Sequence, residues 1–256
     1  MRHLHSAARI ASILAALALA ACNGSSETFQ GWIEADHVFV GPDEPGRVET
    51  LSVREGDRVE VGAPLFAVDA DLQKADVLSG EAMLANAQQT FRRADELLKN
   101  RTGTQKDFDA AQAALRDAEA KLNWAKTRLA RRNVVSLAAG SIQQVYYRPG
   151  EMVPAGRPVV ALLPPGNVKV RLYVPEAMLP KLSAGDPIKV TCDGCVPDLV
   201  ARVSFISRAS EYTPPVIYSL DERAKLVFLI EARPERPDAL RVGQPVSVVV
   251  PPKETK

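Results

Sequence analysis

Between Leu72 and Arg131 the apolar residues keep a seven-residue period. Val77, Leu84, Phe91 and Leu98 mark it in one arm, and Phe108, Leu115, Leu122 and Leu129 in a second. Ala87 and Ala94 sit three residues after Leu84 and Phe91, with Gly80 in that slot after Val77; Ala111, Ala118 and Ala125 repeat the pattern in the second arm. Large residues at one seam position and small ones at the other let two helices pack closely. The stretch has no proline and is dominated by Ala, Leu, Glu, Gln, Lys and Arg, all good helix formers. Asn100-Arg101-Thr102-Gly103 interrupts it, and so short a connection predicts an antiparallel helical hairpin. Each arm of about 28 residues makes a rod of about 40 Å at about 1.5 Å per residue. Away from the seam lie Arg92, Asp95, Glu96, Lys99, Arg116, Asp117, Glu119 and Lys121, so little remains for packing against anything else.

The flanking segments are two copies of one pattern. Gly46-Arg47-Val48, Arg54-Glu55-Gly56-Asp57-Arg58-Val59 and Gly62-Ala63-Pro64-Leu65 return as Gly140-Ser141-Ile142, Arg148-Pro149-Gly150-Glu151-Met152-Val153 and Gly156-Arg157-Pro158-Val159. The offset is 94 throughout, and the glycine spacings are 10 and 6 in both copies. Short β-branched runs alternating with glycine turns read as strand–turn–strand, with Gly56 and Gly150 at turns that need positive φ. Two such half-motifs make a small sandwich.

After Pro164-Pro165 the strand pattern returns at 168–174, 188–191, 199–206, 226–231 and 246–250, with a short helix expected over 175–182. Five or six short antiparallel strands predict a small β-barrel.

Composition narrows the chemistry. The 256 residues include 32 basic and 31 acidic side chains, so no overall basic field favours nucleic acid. At the N-terminus Arg2 and Arg9 precede or open an apolar run from Ile10 to Ala21, about 12 residues, too short to span a hydrocarbon core of about 30 Å but right for a secretory signal. Leu19-Ala20-Ala21-Cys22 is similar to a bacterial lipobox, in which Cys22 is acylated after cleavage, and Asn23-Gly24-Ser25-Ser26 reads as a tether. Removing 1–21 leaves 30 basic and 31 acidic residues and the single histidine His37, too few for a His-rich metal site or a His-based triad. No enzyme activity, metal or cofactor is expected. Cys192-Asp193-Gly194-Cys195 is a CxxC in an oxidising compartment. With strand residues on both sides and Asp-Gly between, it reads as a disulfide across a turn or as two reduced thiols, rather than as a redox motif opening a helix.

A sandwich cut by a helical hairpin and followed by a barrel, on an exported lipid-anchored chain, resembles the HlyD-type periplasmic adaptor (membrane fusion protein) family. The resemblance implies an α+β, mainly β, fold: a lipoyl-like β-sandwich split by an antiparallel α-helical coiled-coil hairpin, then a small β-barrel. The expected divisions are a signal peptide at 1–21, a lipidated tether at 22–30, half-sandwiches at 31–71 and 133–165, the hairpin at 72–132 and the barrel at 166–256. In members that dock on TolC-type outer-membrane channels, an Arg is followed by Leu four residues later and Ser seven after that; here Arg93, Leu97 and Thr104 match that spacing, with Thr in place of Ser. The same three are also compatible with two ordinary helix residues and a helix cap. The resemblance further implies a ring of copies, commonly hexameric, held to the inner membrane through Cys22, with an inner-membrane transporter as partner. The stretch from Tyr212-Thr213-Pro214-Pro215 to Phe228 resembles short adaptors of ATP-binding-cassette (ABC) exporters. Weighed against this stand a structural envelope lipoprotein, a periplasmic CxxC thiol–disulfide protein, and a lipoyl or biotinyl carrier. The carrier lacks its lysine, because Ala70-Asp71 stands where the modified residue belongs.

Overall fold

The computed structural model describes residues 27–212 and 226–250, which leaves Cys22, the lipobox and 213–225 outside the described residues. In chain order the elements are β1 (Thr28–Ala35), β2 (Val38–Val40), β3 (Gly46–Leu51), β4 (Arg58–Val59), β5 (Pro64–Val68), α1 (Asp71–Lys99), α2 (Gln105–Ala130), β6 (Asn133–Val135), β7 (Gly140–Val145), β8 (Met152–Val153), β9 (Val160–Leu163), β10 (Val168–Pro175), β11 (Pro187–Thr191), β12 (Leu199–Tyr212), β13 (Leu226–Pro234) and β14 (Pro245–Val249). They form two compact units, one spanning Asp36–Asn167, the other joining the chain up to Ala35 with the chain from Val168 onward.

The first unit is a sandwich of two four-stranded sheets, ordered β2-β9-β7-β4 and β6-β5-β3-β8. A shift of 94 residues carries each sheet onto the other, and every sheet takes strands from both copies. The copies are interlocked: β4 of the first pairs with β7 of the second, and β8 of the second with β3 of the first. Even the turns reciprocate. Gly56 N–H donates to the Ile142 carbonyl and Gly150 N–H to the Val48 carbonyl, both at 2.8 Å. Gly56 and Gly150 have φ of 91° and 96°, where a Cβ is disfavoured. Asp57 caps the Arg54 N–H at 2.7 Å, as Glu151 caps that of Arg148 at 2.9 Å. Val48, Leu65, Phe66, Ile142, Val153, Val160 and Leu162 fill the space between the sheets.

In the second unit the strands run β1-β10-β13-β12-β11-β14 and close into a barrel, each pairing with two neighbours. Alternate residues point inward: Val168, Val170, Leu172 and Val174 of β10 are buried, and Ile33 of β1 is 1% exposed. This corrects the expected divisions. Thr28–Ala35 belongs neither to a tether nor to the first half-sandwich. It pairs with β10 through Gly31–Ala35 and with β14 through Thr28–Trp32, supplying the strand that closes the ring. The alternation of Phe29, Gly31 and Ile33 was the signal, and Gly31 lets β10 approach, since a Cβ there would lie 2.6 Å from the Arg171 carbonyl oxygen. The short helix expected at 175–182 is present as a 3-10 helix, Glu176–Lys181, with Pro180 inside it.

Candidate functional site: the hairpin and its tip

Helices α1 and α2 fold back on each other along the heptad seam. Ala111, Ala118, Leu122 and Ala125 are buried in α2, while in α1 the buried residues are Gly80 and Gln73. A Cβ on Gly80 would sit 3.2 Å from Leu122 Cδ1, so the glycine admits the leucine. Phe91 and Phe108 meet with ring centres 5.4 Å apart. Phe91, Ala94 and Leu98 lie in the seam as expected, but only half-buried, because a two-helix rod cannot cover them fully. Surface pairs Lys99–Asp95, Lys121–Asp117 and Lys126–Glu81 decorate the flanks.

The rod is fastened to the sandwich by a charge cluster that the sequence reading missed. Arg128 grips Glu44 with two nitrogens, Nε to Oε1 at 2.6 Å and Nη2 to Oε2 at 3.0 Å, and reaches Asp76 at 3.1 Å through Nη1. Arg132, 4% exposed, donates to the carbonyls of Asp69 and Pro45 at 2.8 and 3.3 Å. Arg131 pairs with Asp43 at 3.0 Å, and Gln73 donates to Glu44 at 3.2 Å. The Arg128 hydrogen bond holds the Glu44 carboxyl below its ordinary value, and the same bond raises Arg128. The available signal was a break in the repeat: the first copy carries Asp43-Glu44 where the second has Leu137-Ala138.

At the far end α1 stops in a Schellman motif. Thr102 N–H donates to the Leu97 carbonyl at 2.9 Å and Arg101 N–H to that of Leu98 at 3.0 Å, with Arg101 in the left-handed region at φ 60°. Gly103 N–H is a further donor to the Leu97 carbonyl, at 3.0 Å. A Cβ on Gly103 would lie 2.9 Å from Leu97 Cβ, so the glycine lets the connection fold onto Leu97. Thr104 then caps α2. Its Oγ1 accepts from the Asp107 N–H at 3.1 Å and donates to the Asp107 carboxylate at 2.7 Å. Arg93, Leu97 and Thr104 are all exposed, and Leu97 shows 44% of its surface. The structure therefore brings the three to one end of the rod, on outward faces.

Cys192 and Cys195 are joined as a disulfide across the turn between β11 and β12, with Gly194 at φ 75°. Gln244 donates to the Asp193 carbonyl at 3.3 Å. A strand follows the turn, so the helix N-terminus that activates a redox thiol is lacking there. Among the described residues no group of three or more His, Cys, Asp and Glu side chains is placed to hold a metal ion, and no helix is long and apolar enough to cross a membrane.

This arrangement can be compared with known proteins. The membrane fusion protein Spr0693 of Streptococcus pneumoniae R6 superposes with a TM-score of 0.69 over 89% of this chain and 100% of its own, at 20% identity. The fold is that of the membrane fusion proteins. A MacA–MexA chimera carrying the Pseudomonas aeruginosa MexA α-hairpin domain gives a TM-score of 0.70 at 19% identity, over 89% of this chain and 82% of the chimera. In sequence the chain is 27% identical to a UPF0194 membrane protein of Acidithiobacillus ferridurans, over 88% of its own length and 86% of the relative's. No family model matches. The resemblance read from the sequence thus holds at the level of the fold.

Proposed function

We propose that this chain is the periplasmic adaptor subunit of an efflux or secretion system. It links an inner-membrane transporter of the ABC type to a TolC-type outer-membrane channel. Copies assemble as a ring, hexameric by resemblance, and acyl chains on Cys22 hold them to the inner membrane; two chains anchor where one does not. The observation that carries the reading is the rod itself. Its flanks carry charged pairs together with the exposed Leu78, Met83 and Trp124, and its exposed end presents Arg93, Leu97 and Thr104 in the spacing of channel-docking adaptors. Arg93 offers a fork of donors to carbonyls or carboxylates, Leu97 an apolar knob, and Thr104 a hydroxyl already engaged as a cap. The solved proteins of the same fold include one described as a putative efflux transporter, from Bacteroides eggerthii, which supports the reading.

The test is a pull-down from cells through crosslinkers placed at position 97 and in the barrel. Recovery of an ABC transporter through the barrel and an outer-membrane channel through the tip is expected. Recovery of neither would leave a structural envelope lipoprotein. Independently, Cys22→Ser is expected to leave an unprocessed or soluble chain; fractionation with membranes at unchanged mass would refute the lipid anchor.

A further inference from the structure

Arg101 stands where the backbone favours glycine. It is the C′ residue of the Schellman motif, and its φ of 60° brings the Cβ against the following carbonyl, a conformation that an L-residue adopts less readily than glycine. Among the described residues the one other non-glycine with positive φ is Asp198, a residue type that tolerates this region better. The Schellman hydrogen bonds would form equally well with glycine at this position, so they do not account for the arginine. The Arg101 guanidinium makes no ion pair or side-chain hydrogen bond with any described residue, and the residue is exposed.

The surrounding charges are arranged unevenly. Asp95 is held by Lys99 at 2.6 Å, Asp107 by the Thr104 hydroxyl at 2.7 Å and Asp109 by Gln105 at 2.8 Å. Arg92, Arg93 and Lys106, like Arg101, have no such partner among the described residues. The end of the rod therefore offers four cations without an internal partner there, while of its carboxylates Asp95, Asp107 and Asp109 are engaged in side-chain hydrogen bonds and Glu96 is not. Strain kept at an exposed arginine, beside cations with no internal partner, points to a contact made outside the chain.

We infer that Arg101 is a further docking residue of the tip, and that the surface it meets on the partner protein carries carboxylates or helix-end carbonyls. This rests on the tip being the docking end, as proposed above, and adds a residue outside the Arg93–Leu97–Thr104 spacing. Arg101 sits in the connection itself, beyond the last turn of α1, so it can form a second charged contact alongside Arg93. An arginine fork suits such acceptors better than a lysine point charge.

The experiment measures binding of the full chain to a purified TolC-type channel in detergent, by surface plasmon resonance at two salt concentrations, together with thermal melting. Arg101→Gly is expected to melt at the same or a higher temperature, because glycine relieves the left-handed backbone, and yet to bind about tenfold more weakly. Its affinity is expected to fall less with added salt than that of the unaltered chain. Arg101→Lys is expected to keep part of the affinity. Wild-type binding by Arg101→Gly, with loss of binding by Leu97→Asp, would overturn this inference and leave the tip reading standing. Wild-type binding by Leu97→Asp, or no binding by the unaltered chain, would overturn both.

Discussion

At the base of the hairpin Arg128, Arg131 and Arg132 each have a carboxylate or carbonyl partner within the fold, whereas at the tip Arg92, Arg93 and Arg101 have none among the described residues. At Arg132 the difference follows burial, whereas Arg131 is paired with Asp43 though exposed. Arg132 is 4% exposed, and a guanidinium taken out of water must find acceptors or destabilise the fold. The tip guanidiniums remain hydrated, so leaving them unpaired costs the fold little. The same residue type thus fixes the rod at one end and stays available at the other. The seam between them is thin. It is closed by alanines, by Leu122 and by Gly80, and few residues of either helix are buried, so the rod depends on its base for orientation.

The largest effect expected from breaking this comparison is at Arg132. Arg132→Ala removes the donor from the Asp69 and Pro45 carbonyls and is expected to cost about 3 kcal/mol in urea unfolding, whereas Arg93→Ala stays within about 0.5 kcal/mol. Equal losses at the two ends would show that burial does not separate them. Next is the seam. Phe91→Asp puts a carboxylate against Phe108 and is expected to cost about 2 kcal/mol, less than at a fully enclosed site because Phe91 is half-buried. The loss should appear as helical signal in circular dichroism. A variant with unchanged ellipticity and melting would mean that the seam does not hold the rod. Smaller again, Thr104→Ala removes a helix cap and is expected to cost about 1 kcal/mol. A full loss of binding to a channel with no loss of stability would assign the hydroxyl to docking instead.

Legibility in the sequence followed the type of interaction. The heptad and the 94-residue repeat are periodic, so the hairpin and the sandwich strands could be placed from residue spacing alone. The tip was legible because a break of four residues between two heptad runs can only be a turn. What escaped were single contacts between distant residues. The Glu44–Arg128 pair spans 84 positions, and no local pattern announces it; only the failure of Asp43-Glu44 to recur in the second copy hinted at a separate role. Strand β1 escaped for a related reason. Its partners β10 and β14 lie far along the chain, so a segment of eight residues next to an expected tether looked like the start of the sandwich. The left-handed backbone at Arg101 was hidden because arginine is not the residue that such a position favours.

The smallest expected effect, and the one that sharpens the comparison most finely, is the pH dependence at Glu44. Its carboxyl is held below the ordinary value of 4.5 chiefly by the Arg128 hydrogen bond. A group whose pKa is lower folded than unfolded contributes stability that is present above the unfolded value and is lost as pH falls through the folded one. Arg128 keeps its charge throughout, since its own pKa is raised. Glu44→Gln retains the size and a single acceptor but removes the charge. The difference in stability between the unaltered chain and Glu44→Gln is therefore expected to be small but measurable at pH 7, and to shrink towards zero as pH falls below about 4.5. It should be modest because the Glu44 side chain is 36% exposed and the pair is partly screened by water. Arg93→Ala, compared in the same way, should show no such trend, because no carboxylate among the described residues is paired with it. Urea titrations at a series of pH values between 3 and 7 read both differences. A Glu44→Gln difference that stayed flat across that range would show that Arg128 gains nothing from the charge, and the base would then hold by geometry alone.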